Sequence, residues 1–261
     1  MFGMEATVIA WGGQKGGIGK TTSCAAMSFL LAKKGYRVLV IDFDPQGSQI
    51  QVLTGQNKAD FEGFNIMMAI EENNPHEHIV ELTKELHIIP SDRYLANFEA
   101  WLNKNVEDEF EKTQVLKNLI TPLNLEYDFI MLDLPPSLDL LTTNGLAASN
   151  STVALLQPAP LSFDGLNEYI DTVEGLKEFV NPELDVLGIL LTLVDRGQNV
   201  DTQFIDLAKD LYSDLVFKPI VYRRTRLKQY AAIGMKEDSF IDRSALRPYK
   251  DLVKELIQRV G

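Results

Sequence analysis

Six short, almost uninterrupted apolar runs recur along the chain, at 6–11, 37–41, 86–89, 127–133, 152–156 and 184–194. Runs of this length without polar alternation are what strands buried on both faces of a parallel sheet require. Between them, apolar side chains recur at three- and four-residue spacing, the period of a helix with one buried face. The segment 23–34 places Ala26, Phe29 and Leu30 in this way and stops at Lys34-Gly35. Helices are expected likewise over 94–101, over 110–120 before Pro122, over 138–148 with Ser137 as cap, and over 166–180. A last stripe, Tyr249, Leu252, Val253, Leu256, Ile257 and Val260, predicts a closing helix over 249–260. Only 55–78 lacks a clear period; it is polar and acidic, with a turn at 71–75. Strand and helix in alternation, with no internal repeat, predict an α/β fold: a doubly wound, mostly parallel sheet with helices on both faces, as one domain over 1–261.

Composition narrows the setting. At 261 residues, 45% hydrophobic and 24% charged, the chain can bury a large core. No apolar run approaches the roughly 20 residues of a membrane helix, and the first residues have neither the charge nor the apolar stretch of a signal peptide, so a cytoplasmic protein is expected. The single cysteine, Cys24, forms no internal disulfide and reads as a small core residue. His76, His78 and His87 lack partners at metal-ligand spacing. Net charge is −12, which argues against a nucleic-acid binder, but it is unevenly spread. From Lys218 onward, 11 basic residues face 5 acidic ones, a balance of +6 on a body of −18.

Candidate chemistry lies where the apolar runs end. After the first comes Gln14-Lys15-Gly16-Gly17-Ile18-Gly19-Lys20-Thr21-Thr22, which opens the first helix. Glycines in this setting let successive N–H groups converge on one anion, and the helix N-terminus adds its positive dipole end. Lys20 supplies a cation and Thr21 a hydroxyl for Mg²⁺. The general phosphate-loop pattern wants glycine where Gln14 stands, while a dinucleotide loop wants one where Thr22 stands. The second run ends in Asp42-Phe43-Asp44-Pro45-Gln46-Gly47, and the fourth in Asp133-Leu134-Pro135-Pro136. Carboxylates at the carboxyl ends of parallel strands lie in the crevice where such sheets bind ligands, and one there can accept hydrogen bonds from water on Mg²⁺.

These motifs together resemble the ParA/MinD superfamily of P-loop NTPases. Lys-Gly-Gly-x-Gly-Lys-Thr-Thr is similar to its deviant Walker A motif, Asp-x-Asp-Pro-Gln-Gly to the Walker A′ motif of ParA proteins, and Asp-x-Pro-Pro to their Walker B exit, where MinD-like members show Asp-x-Pro-Ala-Gly. The resemblance implies that Gly16, Gly17, Ile18, Gly19, Lys20, Thr21 and Thr22 hold the phosphates of ATP. Thr21 would bind Mg²⁺ directly, Asp133 and Asp42 the metal's waters, and Asp44 the attacking water. Lys15 would reach across a homodimer to the nucleotide of the other subunit. Thr192 to Gly197, with Arg196, aligns with a family segment near the base and DNA. The stretch 220–230 resembles the segment whose arginines contact DNA phosphates. The sequence leaves open how Arg223, Arg224 and Arg226 divide between DNA and base, and whether Arg196 is a DNA contact or a solvated loop residue.

The implied function is slow ATP hydrolysis by a dimer that binds DNA without sequence preference, associates with the nucleoid, and is stimulated by a centromere-binding, ParB-type partner to segregate DNA. The loop starts too close to Met1 for the helix-turn-helix extension of longer plasmid ParA proteins, so the short form is expected. The alternatives are a MinD-like ATPase positioning membrane or protein cargo, and a metabolic P-loop enzyme such as a biotin-synthesis ligase. The acidic residues in the last helix argue against a membrane anchor, and the stripe there is expected to be core.

Overall fold

A computed structural model describes residues 5–159, 162–195 and 199–261. Its described strands are β1 (Thr7–Gly12), β2 (Val38–Asp42), β3 (Val80–Glu81), β4 (Leu86–Ile89), β5 (Phe129–Asp133), β6 (Ser151–Leu156), β7 (Asp185–Val194) and β8 (Val221–Tyr222). They form an eight-stranded sheet in the order β3-β4-β2-β5-β1-β6-β7-β8, parallel throughout except for β3 against β4. The chain builds outward from β1 in one direction and then, after β5 is inserted beside it, in the other. The reversal opens a crevice at the carboxyl end of β1.

Helices cover both faces. On one lie α3 (Ile66–Glu72), α4 (Phe98–Asn105), α5 (Glu109–Ile120), α6 (Leu140–Ala147), α7 (Ser162–Phe179) and α8 (Asn199–Tyr212). On the other lie α1 (Lys20–Lys33), α2 (Gln49–Thr54), α9 (Thr225–Ile233) and α10 (Phe240–Val260). The central strands feed the two cores alternately: Val8, Ala10, Leu39, Ile41, Ile130 and Leu132 point to the first, and Ile9, Trp11, Val38, Val40, Phe129 and Met131 to the second. Period-two alternation thus carries apolar side chains both ways, which is why these strands read as unbroken apolar runs.

The six predicted strands are present. β3 and β8 were not expected, because two residues give no period to read. The 55–78 stretch does contain α3, whose Ile66, Met67 and Ile70 are buried. Asp139, not Ser137, caps α6: its carboxylate accepts from Leu141 N and Thr142 N, while Ser137 Oγ donates to Asp139. The closing helix starts nine residues earlier than the stripe suggested, since 249 − 240 = 9. Pro248 lies inside it, but a capping box of Ser239 and Asp242 and the buried Ala245 and Leu246 carry the helix through. Its apolar stripe packs on α1, where Tyr249 and Ser23 join hydroxyls at 3.1 Å. Among the described residues no helix is long and apolar enough to cross a membrane.

Candidate functional site

β1 feeds the glycine loop and α1 leaves it, so residues 13–19 curl over the carboxyl edge of the sheet. Gly17 (φ 74°) and Gly19 (φ 92°) have left-handed backbones, and a Cβ at Gly16, Gly17 or Gly19 would meet nothing within 4 Å. The loop is therefore an open cradle of backbone, with Gly19 capping α1. Its root is packed hard: a Cβ on Gly12 would stand 1.9 Å from Tyr169 Oη on α7. That hydroxyl donates to Thr152 Oγ1 (2.7 Å), which donates to Ala10 O (3.1 Å). Two more contacts fix the loop. Thr192 Oγ1 donates to Ile18 O at 2.8 Å, and Gln14 Nε2 to Glu168 Oε2 at 2.5 Å.

Lys20 folds back under the loop and donates to Gly13 O (3.1 Å) and Lys15 O (3.3 Å). Burial pushes its pKa down, opposed by the charges of Asp133 and Asp44. Lys15, in contrast, is exposed. Thr21 and Thr22 occupy the first turn of α1 and are half-buried.

The carboxylates arrive on neighbouring strands. Strand register sets Asp133 of β5 beside Asp42 of β2 and beside Trp11 of β1. Asp42 is fully buried and accepts from Gln49 N (2.9 Å) and Asp44 N (3.2 Å). Burial raises its pKa well above the carboxylate range, and the charge of Asp133 adds to the rise. Asp133 is 1% exposed, and neither oxygen has a hydrogen-bond partner among the described residues. Burial lifts its pKa to about 7; the Thr21 hydroxyl and Gln49 amide lie near enough to oppose that rise without making a well-formed hydrogen bond. Asp44, half-buried at the turn after β2, accepts from Gln46 N at 2.8 Å. An acceptor-only carboxylate, buried and unpaired beside a threonine hydroxyl and a glycine cradle, fits a hydrated divalent cation next to a phosphate chain.

The loop residues, Asp42, Asp44 and Asp133 are thus brought together at one edge. Gln49 and Tyr169 join them without having been expected, and Thr192, which opens the segment expected near the base, bonds the loop directly. Gln49 follows Gly47 by two residues, which carries no motif, and the other two reach the loop from far along the chain. A cavity of about 1320 Å³ opens at the opposite edge of the sheet, by Glu5, Asp185 and Arg259. It contains none of the expected site residues.

The three described arginines have different partners. Arg223 is exposed and pairs with Asp195 (3.0 Å), and Arg224 Nη1 donates to Ser244 Oγ (3.0 Å). Arg226 is the one of the three that is paired with a fully buried carboxylate. Its Nε donates to the buried Asp242 Oδ1 at 2.7 Å, in a network with Tyr230 and Ser239 that caps α10. The guanidinium and the Ser239 hydroxyl and N–H hold the Asp242 carboxyl far below the usual range. Arg259, counted in the basic C-terminal region, is also engaged, stacked 4.2 Å over Phe217 and donating to Leu187 O. Arg196 lies outside the described residues.

The AAA_31 family, an AAA domain, matches residues 6–186. The sporulation initiation inhibitor protein Soj of Bacillus subtilis is 35% identical over 251 residues, covering 95% of this chain and 97% of its own. The chromosome partitioning protein ParA of Myxococcus xanthus is 32% identical, covering 97% and 88%. The crystal structure of cobyrinic acid a,c-diamide synthase from Mycobacterium smegmatis, with bound ATP analogue and magnesium, superposes with a TM-score of 0.84 at 26% identity, covering 98% and 96%. With its deviant lysine, its three strand-end carboxylates and similarity to Soj and ParA along nearly its whole length, the chain belongs to the ParA family of P-loop ATPases.

Proposed function

We propose that this chain acts as one domain that binds ATP with Mg²⁺, dimerises around it, binds DNA without sequence preference, and hydrolyses ATP slowly until a centromere-binding partner accelerates it. The observation that carries the reading is the meeting of Lys20, Thr21, Asp42, Asp44 and Asp133 at one sheet edge, with the Asp133 oxygens buried and unpaired. In this reading the loop amides of residues 16–22 and the Lys20 ammonium bind the phosphates. The Thr21 hydroxyl takes Mg²⁺, and Asp133 and Asp42 hold its waters. When bound, Mg²⁺ supplies positive charge to the β- and γ-phosphate oxygens. Asp44 orients the attacking water and accepts its proton. Lys15, exposed at the rim, extends to the nucleotide of a second subunit.

DNA contact falls to Arg223, Arg224 and the exposed Lys228, with Arg196 as a further candidate. Two copies of this surface in a dimer supply phosphate contacts despite the net charge of −12. The stripe of α10 is buried in the fold, which argues against its use as a detachable membrane anchor. A second reading, a metabolic enzyme, draws on the fold shared with the diamide synthase. The Asp-Pro-Gln-Gly and Asp-x-Pro-Pro motifs and the similarity to Soj and ParA weigh against it.

Binding to random-sequence duplex DNA, measured with ATP, with ADP and without nucleotide across a salt series, tests the proposal. Binding that requires ATP and falls steeply with salt is expected. No binding in any state moves the function to protein or membrane cargo, and phosphoryl transfer to a compound in a small-molecule panel would support the metabolic reading.

A further inference from the structure

Gln49 has no part in the chemistry above, yet it contacts the carboxylate of Asp42 and the backbone of Thr21, two residues assigned to the metal. It is fully buried. Its N–H donates to Asp42 Oδ2 (2.9 Å), its Nε2 donates to Thr21 O (3.1 Å), and its Oε1 is buried with no partner among the described residues. One side chain and its own backbone therefore bind the first turn of α1 to the end of β2. The Gln49 amide holds the Thr21 carbonyl, and with it the backbone position from which the Thr21 hydroxyl projects.

Gln49 is also the first residue of α2, whose far end is locked to α9. α2 has six residues, a length of about 9 Å. At its C-cap, a Cβ on Gly55 would stand 2.5 Å from Gly234 N, and one on Gly234 would stand 2.7 Å from the Thr54 carbonyl. Met235 N donates to Leu53 O at 3.0 Å. Backbone thus meets backbone, with no side chain between them to absorb a displacement. Ile50 and Leu53 share one apolar cluster with Leu227 and Tyr230 of α9. α9 itself begins just after Arg224, at Thr225, and carries Lys228.

We propose that Gln49 is a positioning residue that registers Thr21 against Asp42, and that α2 acts as a rigid strut carrying any change in that register to α9 and its basic surface. The proposal rests on the metal-binding reading of Thr21 and Asp42, so its test separates the two. Gln49→Met keeps the length of the side chain and removes both amide atoms, while Gly55→Ala disturbs only the far end of the strut. For each variant, two quantities are measured: the Mg²⁺ concentration needed for half-maximal binding of a fluorescent ADP analogue, and amide hydrogen exchange across 225–233 with and without Mg²⁺-nucleotide.

In the wild-type protein, Mg²⁺-nucleotide should slow exchange across 225–233. Gln49→Met should need roughly five- to tenfold more Mg²⁺, the scale of one lost hydrogen bond, and should lose the slowing. Gly55→Ala should keep the wild-type Mg²⁺ requirement and also lose the slowing. A wild-type Mg²⁺ requirement in Gln49→Met overturns the positioning role, and slowing retained in Gly55→Ala overturns the strut. If Gln49→Met melts below the assay temperature, its Mg²⁺ requirement is compared with that of the wild type at a temperature below its own midpoint, and Gly55→Ala decides the strut independently. Asp133→Asn serves as the control: should it also leave the Mg²⁺ requirement unchanged, the metal reading itself fails.

Discussion

Replacing Asp133 with asparagine should stabilise the nucleotide-free protein while weakening its site. Asp133 is 1% exposed, carries two unpaired oxygens and has a pKa lifted to about 7 by burial. In the unfolded chain the same group titrates near its ordinary value of 3.8. Because the folded pKa lies above the unfolded one, ionisation favours unfolding. The penalty is absent below about pH 4, grows as pH rises toward 7, and is constant above that. A gap of roughly three units at about 1.4 kcal/mol each sets an upper limit of about 4 kcal/mol. An asparagine side chain at this position would keep the shape without the charge, and removing the charge also relieves Asp42, which the Asp133 carboxylate disfavours. A gain of about 2–4 kcal/mol at pH 8 corresponds to a Tm rise of roughly 4–12 °C for a chain of this size. Calorimetric melts in EDTA at pH 8 and pH 5 read it directly, with a smaller gain expected at pH 5. An Asp133→Asn variant no more stable than wild type at pH 8, or one with a gain independent of pH, would refute the reasoning.

Lys20→Ala should lose most affinity for a fluorescent ATP analogue, and unaltered binding would break the phosphate-cradle assignment. Asp44→Ala should bind nucleotide and dimerise normally yet release no phosphate; wild-type turnover in that variant removes Asp44 from the reaction. Gly12→Ala should destabilise by about 1–3 kcal/mol, since its Cβ would stand 1.9 Å from Tyr169 Oη, and a lowered denaturation midpoint with an unchanged m-value is the expected reading.

What the sequence made legible was local. Each strand with five or more residues announced itself as an apolar run, and each strand-end carboxylate or loop glycine followed its run directly. β3 and β8, at two residues each, had no pattern to show, and α2 is too short to display a helical period. Proline obscured the start of α10, because the propensity against it in a helix is strong and only the cap at Ser239 and the buried face beyond it override that preference. Contacts between distant segments were invisible. Thr192 reaches Ile18 across 174 positions, and Gln49 reaches Thr21 across 28. Charge counting could not show engagement either: Arg226 and Arg259 belong to the basic excess of the C-terminal region, and their guanidinium groups are engaged within the fold.

The packing of α1 on α10 has a consequence for how the molecule is made. The underside of α1, with Met27, Leu30 and Leu31, meets Tyr249, Leu252 and Val253 from more than 200 positions away. During synthesis that surface stays uncovered until 240–260 have emerged, so the nucleotide loop at the head of α1 is among the earliest segments translated and among the last secured. Pairing of such separated segments is slow, and the interval leaves apolar surface open to chaperones and proteases. A chain stalled before α10 would therefore be cleared instead of persisting as a subunit that competes for nucleotide.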